Sequence, residues 1–171
     1  MSGPVRAYWT MLQAPTPFAG AQDQPFAVGS RCVRKCLAVE DLGDLLEQPL
    51  LAVLATQRRD GSVLLSPVWH EWHDEGFSVA TNSDGAKLRQ LRRDPRASIV
   101  VCEQSPPYRG IELRGRARLL SEGVAETALR IAIRYLGQGE GRRQAMRLAD
   151  DTLIRLEPGN VRAWDFADEY T

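Results

Sequence analysis

Apolar and polar residues alternate most cleanly between Ile111 and Leu119. Ile111, Leu113, Gly115, Ala117 and Leu119 share one face and Glu112, Arg114, Arg116 and Arg118 the other, the two-residue period of a strand with one side buried. Leu50 to Thr56 is instead an unbroken apolar run of strand length, which predicts a strand covered on both faces. Asp60-Gly61 is a tight-turn signal, so Val63 to Trp69 reads as the returning strand. A turn over His73-Asp74-Glu75-Gly76 leads to a third strand at Phe77 to Thr81. Ala97 to Cys102 and Thr152 to Leu156 have strand character, and Pro158-Gly159-Asn160 predicts a turn from which Val161 to Phe166 returns.

Three segments carry the helical period instead. Leu42, Leu45 and Leu46 mark a short amphipathic helix that Pro49 ends. Residues 85 to 93 place Leu88 and Leu91 inward, with Ser83 or Asp84 as the cap and Asp94-Pro95 as the stop. From a cap at Ser121, Val124, Ala128, Ile131, Ala132 and Tyr135 fall on one helix face. The stretch Leu136-Gly137-Gln138-Gly139 then breaks the helix before a second helical piece reaching about Leu148. Many short strands joined by short turns, with helices at three places, predict a mainly β fold: an antiparallel barrel with appended helices, not a βαβ sheet.

Residues 1–36 stand apart. They hold four of the ten prolines and no helical or strand period, and are read as an extended or poorly ordered arm preceding a domain at 37–171. At 171 residues, 43% hydrophobic and 26% charged, the chain suits one globular domain. Lysine plus arginine equals aspartate plus glutamate at 22 each, so no global field points to nucleic acid or an anionic membrane. The longest apolar run, Pro49 to Ala55, is far short of a membrane span. Three cysteines make no disulfide framework, and reduced thiols in a cytoplasm are expected. Cys32 and Cys36 lack a second pair for a zinc site, so no metal is expected.

The sequence has no nucleophile elbow, Walker loop or dinucleotide fingerprint. On a strand, His70 and His73 would point to opposite faces, which argues against a shared metal. Thr81-Asn82-Ser83-Asp84-Gly85-Ala86-Lys87 runs from a strand end into a helix start, offering amide and hydroxyl donors and one lysine suited to phosphate. Arg89, Arg92, Arg93 and Arg96 add positive potential nearby. A capped helix with a solvated basic face accounts for the same residues.

The segment from Thr81-Asn82 through Lys87, Leu91 and Pro95 to Ala97-Ser98-Ile99-Val100 resembles the cofactor-phosphate segment of the pyridoxamine-phosphate-oxidase-like split-barrel family. Leu51 to Thr56, Asp60-Gly61, Ser66-Pro67-Val68-Trp69, Glu112 to Ala117 and Leu156 to Trp164 are similar in the same order, and the likeness spans roughly 39 to 166. The Ser-Pro-Val-Trp strand and the Leu-Arg-Arg-Asp-Pro-Arg run are most like the actinobacterial branch that uses the deazaflavin coenzyme F420. The resemblance implies a split β-barrel homodimer with cofactor sites at the subunit interface. It places the ring along Ser66, Pro67, Val68 and Trp69, with Lys87 as the main anion contact and Thr81, Asn82 and Ser83 lining the phosphate end. Arg89 would reach a longer anionic tail.

One departure bears on the cofactor. FMN oxidases of this kind carry an arginine beside the phosphate lysine, where this chain has Ala86 and Gly85. Losing such a fork costs a buried phosphate site roughly 1.5–3 kcal/mol. The leading expectation is therefore an F420-dependent reductase acting on a small conjugated acceptor, with Trp69, His70 and Trp164 on the acceptor side. An FMN-dependent oxidase or reductase is one alternative. Another is a non-catalytic module that holds flavin, or haem through His70 or His73. No acid, base or nucleophile is assigned, since the cofactor would carry the hydride.

Overall fold

The computed structural model describes residues 37–148, 151–157 and 159–169; the predicted N-terminal arm, with Cys32 and Cys36, lies outside them. After a 3-10 turn at Val39–Leu42 come β1 (Ala52–Gln57), β2 (Val63–Val68), β3 (Glu71–His73), β4 (Gly76–Thr81) and helix α1 (Ala86–Arg93). They are followed by β5 (Arg96–Cys102), β6 (Gly110–Leu120), helix α2 (Val124–Met146), β7 (Thr152–Leu156) and β8 (Asn160–Trp164). All ladders between these strands are antiparallel and run in the order β2-β1-β5-β6-β7-β4-β3, with β8 also on β6. This is the mainly β, curled antiparallel architecture of a split barrel.

The longest strand organises the sheet. One edge of β6 pairs with β5 from Gly110 to Arg116. Its other edge pairs with β8 from Gly110 to Arg114 and then with β7 from Ala117 to Leu120. Between these two ladders β6 spends Gly115 and Arg116, while the opposing chain spends residues 157–159. One extra residue against a continuous partner is a β-bulge. The predicted turn at Pro158-Gly159-Asn160 is therefore corrected: β8 continues along β6 and does not fold back on β7. The bulge fits because both facing positions are glycines. A Cβ on Gly159 would collide with the carbonyl oxygen of Arg114, and one on Gly115 would lie 2.8 Å from that of Glu157.

Alternation on β6 is as the pattern predicts: Ile111, Leu113 and Ala117 are buried and Arg114, Arg116 and Arg118 exposed. The β1 expectation is corrected, since its burial alternates strictly and one face is only half-covered. A half-open barrel covers only its inner side. That side holds Leu54, Phe77, Ile99, Ile111, Leu113, Ile154 and Leu156, closed by Leu88 and Leu91 of α1 and by Leu42 and Leu45. The predicted helix near Leu42 is only the short 3-10 turn, although Leu42, Leu45 and Leu46 are all buried.

Neither predicted side-chain cap forms. Gly85 and Gly123 occupy the two N-cap positions, without side-chain cap bonds. The predicted break in α2 is present at Gly137, with φ 75° and ψ 175°. A Cβ on Gly141 would sit 2.6 Å from the Cα of Ile133, so the second segment doubles back tightly beside the first.

Candidate active site

Two strands distant in the ladder order meet at one hollow. Pro67 and Val68 at the end of β2, with Trp69 just beyond, face Ala80 and Thr81 at the end of β4 across a cavity of about 300 Å³. Leu51, Lys87 and Gln144 complete the lining. That volume is at the lower end for small-molecule sites.

The corner after β2 is held from outside by α2. Tyr135 stacks on Trp69 with ring centroids 5.0 Å apart and planes 12° from parallel. Its hydroxyl donates to the Leu50 carbonyl and accepts from the His70 N–H. Arg134 donates to the carbonyls of Leu46 and His70, and Arg130 grips the Glu71 carboxylate with two bonds of 2.7 and 2.9 Å. Trp69 is thereby presented as a fixed indole wall. The geometry suits a flat ring, because aromatic walls bind by area and lose little freedom on doing so.

Among the cavity's described lining residues Lys87 alone is charged. It is half-buried and makes no hydrogen bond or ion pair among the described residues. Burial pulls its pKa below the ordinary lysine value, as expected of an ammonium without a counter-ion, and an anion bound beside it would reverse that shift. Two larger hollows, of about 490 and 580 Å³, are lined by charges that are mostly matched. In the first, Arg96 is paired with Asp94 and Arg114 with Glu112; in the second, Arg130 is paired with Glu71.

Of the residues expected at a cofactor, the structure gathers Pro67, Val68, Trp69, Thr81 and Lys87 around this cavity. Ser66 is half-buried one position earlier on β2, opposite Leu54. Asn82 is exposed. Ser83 is occupied elsewhere: its N–H donates to Asp151 Oδ1 at 3.3 Å, and its hydroxyl shares a 3.0 Å bond with that of Thr152. Arg89 is exposed and turned back onto the Asp84 carbonyl at 2.6 Å. Gln144 and Leu51 were not anticipated.

The acceptor-side candidates separate. Trp69 lines the cavity, whereas Trp164 lies against Gly110 on β8 with Arg162 5.8 Å from its ring. His70 is fully buried, edge-on to Phe77 and Tyr135, with its Nε2 unpartnered. Burial, helped by the nearby Arg134 guanidinium, lowers its pKa to about 3. His73 is exposed at the end of β3, beside Asp74. Among the described residues no group of three or more metal-ligating side chains is placed to hold a metal, and no helix is long and apolar enough to cross a membrane.

A curled antiparallel half-barrel with a ring-sized cavity between β2 and β4 defines a class of cofactor-binding split barrels. The sequence profile of pyridoxamine 5'-phosphate oxidase matches residues 38–165, and the chain belongs to that family. Among solved structures it is similar to the conserved hypothetical protein Rv2991 from Mycobacterium tuberculosis, with 23% identity, a TM-score of 0.66, and coverage of 79% of this chain and 89% of the other. An F420 reductase shares 28% identity at a TM-score of 0.58, covering 69% and 93%. The haem storage protein HutZ from Vibrio cholerae shares the fold at 18% identity and a TM-score of 0.59, covering 74% and 94%. No match is found among curated protein sequences.

Proposed function

We propose that this protein is an oxidoreductase that holds coenzyme F420 in the cavity between β2 and β4 and serves reduction of a small conjugated acceptor. The carrying observation is Lys87, a half-buried ammonium with no described partner at one side of a cavity whose other side is Trp69. A flat anionic cofactor satisfies both features. The similarity to an F420 reductase at 28% identity supports the deazaflavin over FMN, as does the absence of a side-chain cation at Gly85 and Ala86 beside Lys87.

The bound deazaflavin would supply the hydride chemistry. Lys87 would hold the anionic linker, Thr81 and Gln144 would offer polar groups to it, and Leu51, Pro67, Val68 and Trp69 would exclude water from one ring face. Tyr135 keeps the Trp69 indole in place. A haem bound through His70 would have to enter the closed core, which disfavours that reading.

The second half of the proposal is a homodimer. The outer face of β1 and β2 carries Val63 and Leu65 at 50% and 63% exposure, and β2 is an edge strand. Such an apolar face and edge need covering.

Fluorescence titration of the purified protein with F420 tests the assignment. Micromolar or tighter binding is expected. Lys87→Ala should weaken it tenfold or more, in line with loss of a charge-assisted hydrogen bond. An unchanged dissociation constant in the variant would refute Lys87 as the anion contact.

A further inference from the structure

We infer that the outer face of the sheet carries a second anion site, built by Arg96, Arg114 and Arg116, which takes a phosphate monoester with an apolar remainder. The inference does not draw on the cofactor reading, since the hollow of about 490 Å³ shares no lining residue with the cavity between β2 and β4. Paired residues of adjacent strands point to the same side of a sheet, so the registers lay this face out in rows. One row across β2, β1, β5 and β6 is Leu65, Ala55, Ser98 and Arg114. Beside it, Val63 is opposite Gln57 and Arg96 opposite Arg116. The small residues Ala55 and Ser98 form the floor of the hollow, with Val63 on one side and the three arginines on the other. It thus lies at the basic margin of the face that Val63 and Leu65 offer a second copy.

The charge at this margin is not answered by the protein itself. Arg96 and Arg116 are directly opposed, and like charges in that position repel. No carboxylate is among the described residues lining the hollow. Asp94 and Glu112 stand outside it, and each takes one edge of an arginine: Nε and Nη2 of Arg96 donate to Asp94, and Nε and Nη2 of Arg114 to Glu112. Both pairs are solvent-exposed on the arginine side and offset little charge, but they fix the two forks in direction. Nη1 of each fork has no acceptor among the described residues, and neither Arg116 nor the Ser98 hydroxyl has a described partner. Three open guanidinium edges match a phosphate monoester, which near neutral pH carries about 1.5 to 2 charges and three acceptor oxygens. A carboxylate, with one charge and two oxygens, would leave one arginine unanswered. The hollow is far larger than a phosphate group, so the anion is one end of a bigger molecule. Val63, at 50% exposure, and Ala55 give the rest of that molecule an apolar surface.

Phenyl phosphate is the probe, titrated calorimetrically into the intact protein near neutral pH, with benzoate and inorganic phosphate as comparisons. It should bind about tenfold tighter than benzoate, which lacks the third oxygen and the second charge. It should also bind several-fold tighter than inorganic phosphate, which lacks the ring. Arg116→Gln should weaken phenyl phosphate by about tenfold, the loss of one charge-assisted hydrogen bond. Because Arg116 is exposed and makes no described bond, this variant tests binding and leaves the fold intact. Lys87→Ala should change the phenyl phosphate affinity by less than about twofold, as expected of a separate site. Benzoate binding as tightly as phenyl phosphate overturns the choice of anion, and inorganic phosphate doing so overturns the apolar remainder. Equal affinity in natural protein and Arg116→Gln overturns the site itself. Loss of binding in Lys87→Ala places the anion between β2 and β4 and overturns it as well. Phenyl phosphate bound at the arginines by a protein that does not bind F420 would sink the cofactor reading and leave this inference standing.

Discussion

A histidine sealed in a core leaves a mark on stability. The His70 side chain is buried among Phe77, Tyr135 and Arg134, and its pKa is lowered to about 3, whereas in an unfolded chain it titrates near 6.5. Below pH 6.5 the unfolded state therefore binds more protons. The stability contributed by neutral His70 is fully present above that pH and is lost as pH falls toward 3, at no more than about 1.4 kcal/mol per pH unit. Asp44, Asp94, Glu103 and Glu112 have lowered pKa values and lose their contribution only at more acidic pH; Asp94, held by Arg96, lies at about 2. The window from pH 6.5 to 5 thus isolates the histidine. Urea midpoints across that window should fall for the natural protein and stay flatter for His70→Gln; equal slopes would contradict the assignment. This burial was not legible beforehand, because a histidine between a strand and a turn looks like any surface polar residue. Only the approach of α2, with Arg134 and Tyr135, closes the core over it.

The elements divide by how local their causes are. The β6 alternation and the first segment of α2 followed from periodicity, since burying one face dictates the spacing. Pro158-Gly159-Asn160 misled because turn chemistry and bulge chemistry use the same residues. What decides is the partner strand, here Gly115 and Arg116 of β6. The cap at Ser83 failed for a similar reason, as Ser83 found partners in Asp151 and Thr152 far along the chain. Of the candidate site, the lysine and the β2 segment were visible as residue types in order along the chain. Gln144 was not, because a doubled-back helix brings it there.

That doubling back is open to a paired test. Gly141→Ala places a methyl 2.6 to 2.8 Å from the Ile133 and Ala132 backbone, where no side chain can yield, and should destabilise by roughly 1–3 kcal/mol despite better helix propensity. Gly139→Ala meets nothing within 4 Å and should be neutral or stabilising by up to about 1 kcal/mol. Chemical denaturation of both variants compares them. Similar effects at the two positions would mean that the segments do not pack closely.

For the molecule as a whole, the outer face decides the assembly. If Val63 and Leu65 meet a second copy, Leu65→Lys should shift the protein from dimer to monomer by light scattering and weaken cofactor binding as well. A natural protein that is monomeric at micromolar concentration would remove the dimer from the proposal.

The cavity lies where β2 and β4 approach each other, and no ladder joins these two strands. Going from one to the other along the hydrogen bonds means crossing β1, β5, β6 and β7. A molecule held between Trp69 and Lys87 therefore acts as a clasp across an open seam. Its grip depends on how tightly the intervening strands curl. Substitutions in the middle of the sheet, far from any ligand, should then tune affinity by widening or narrowing the gap, much as bending a bow changes the distance between its tips.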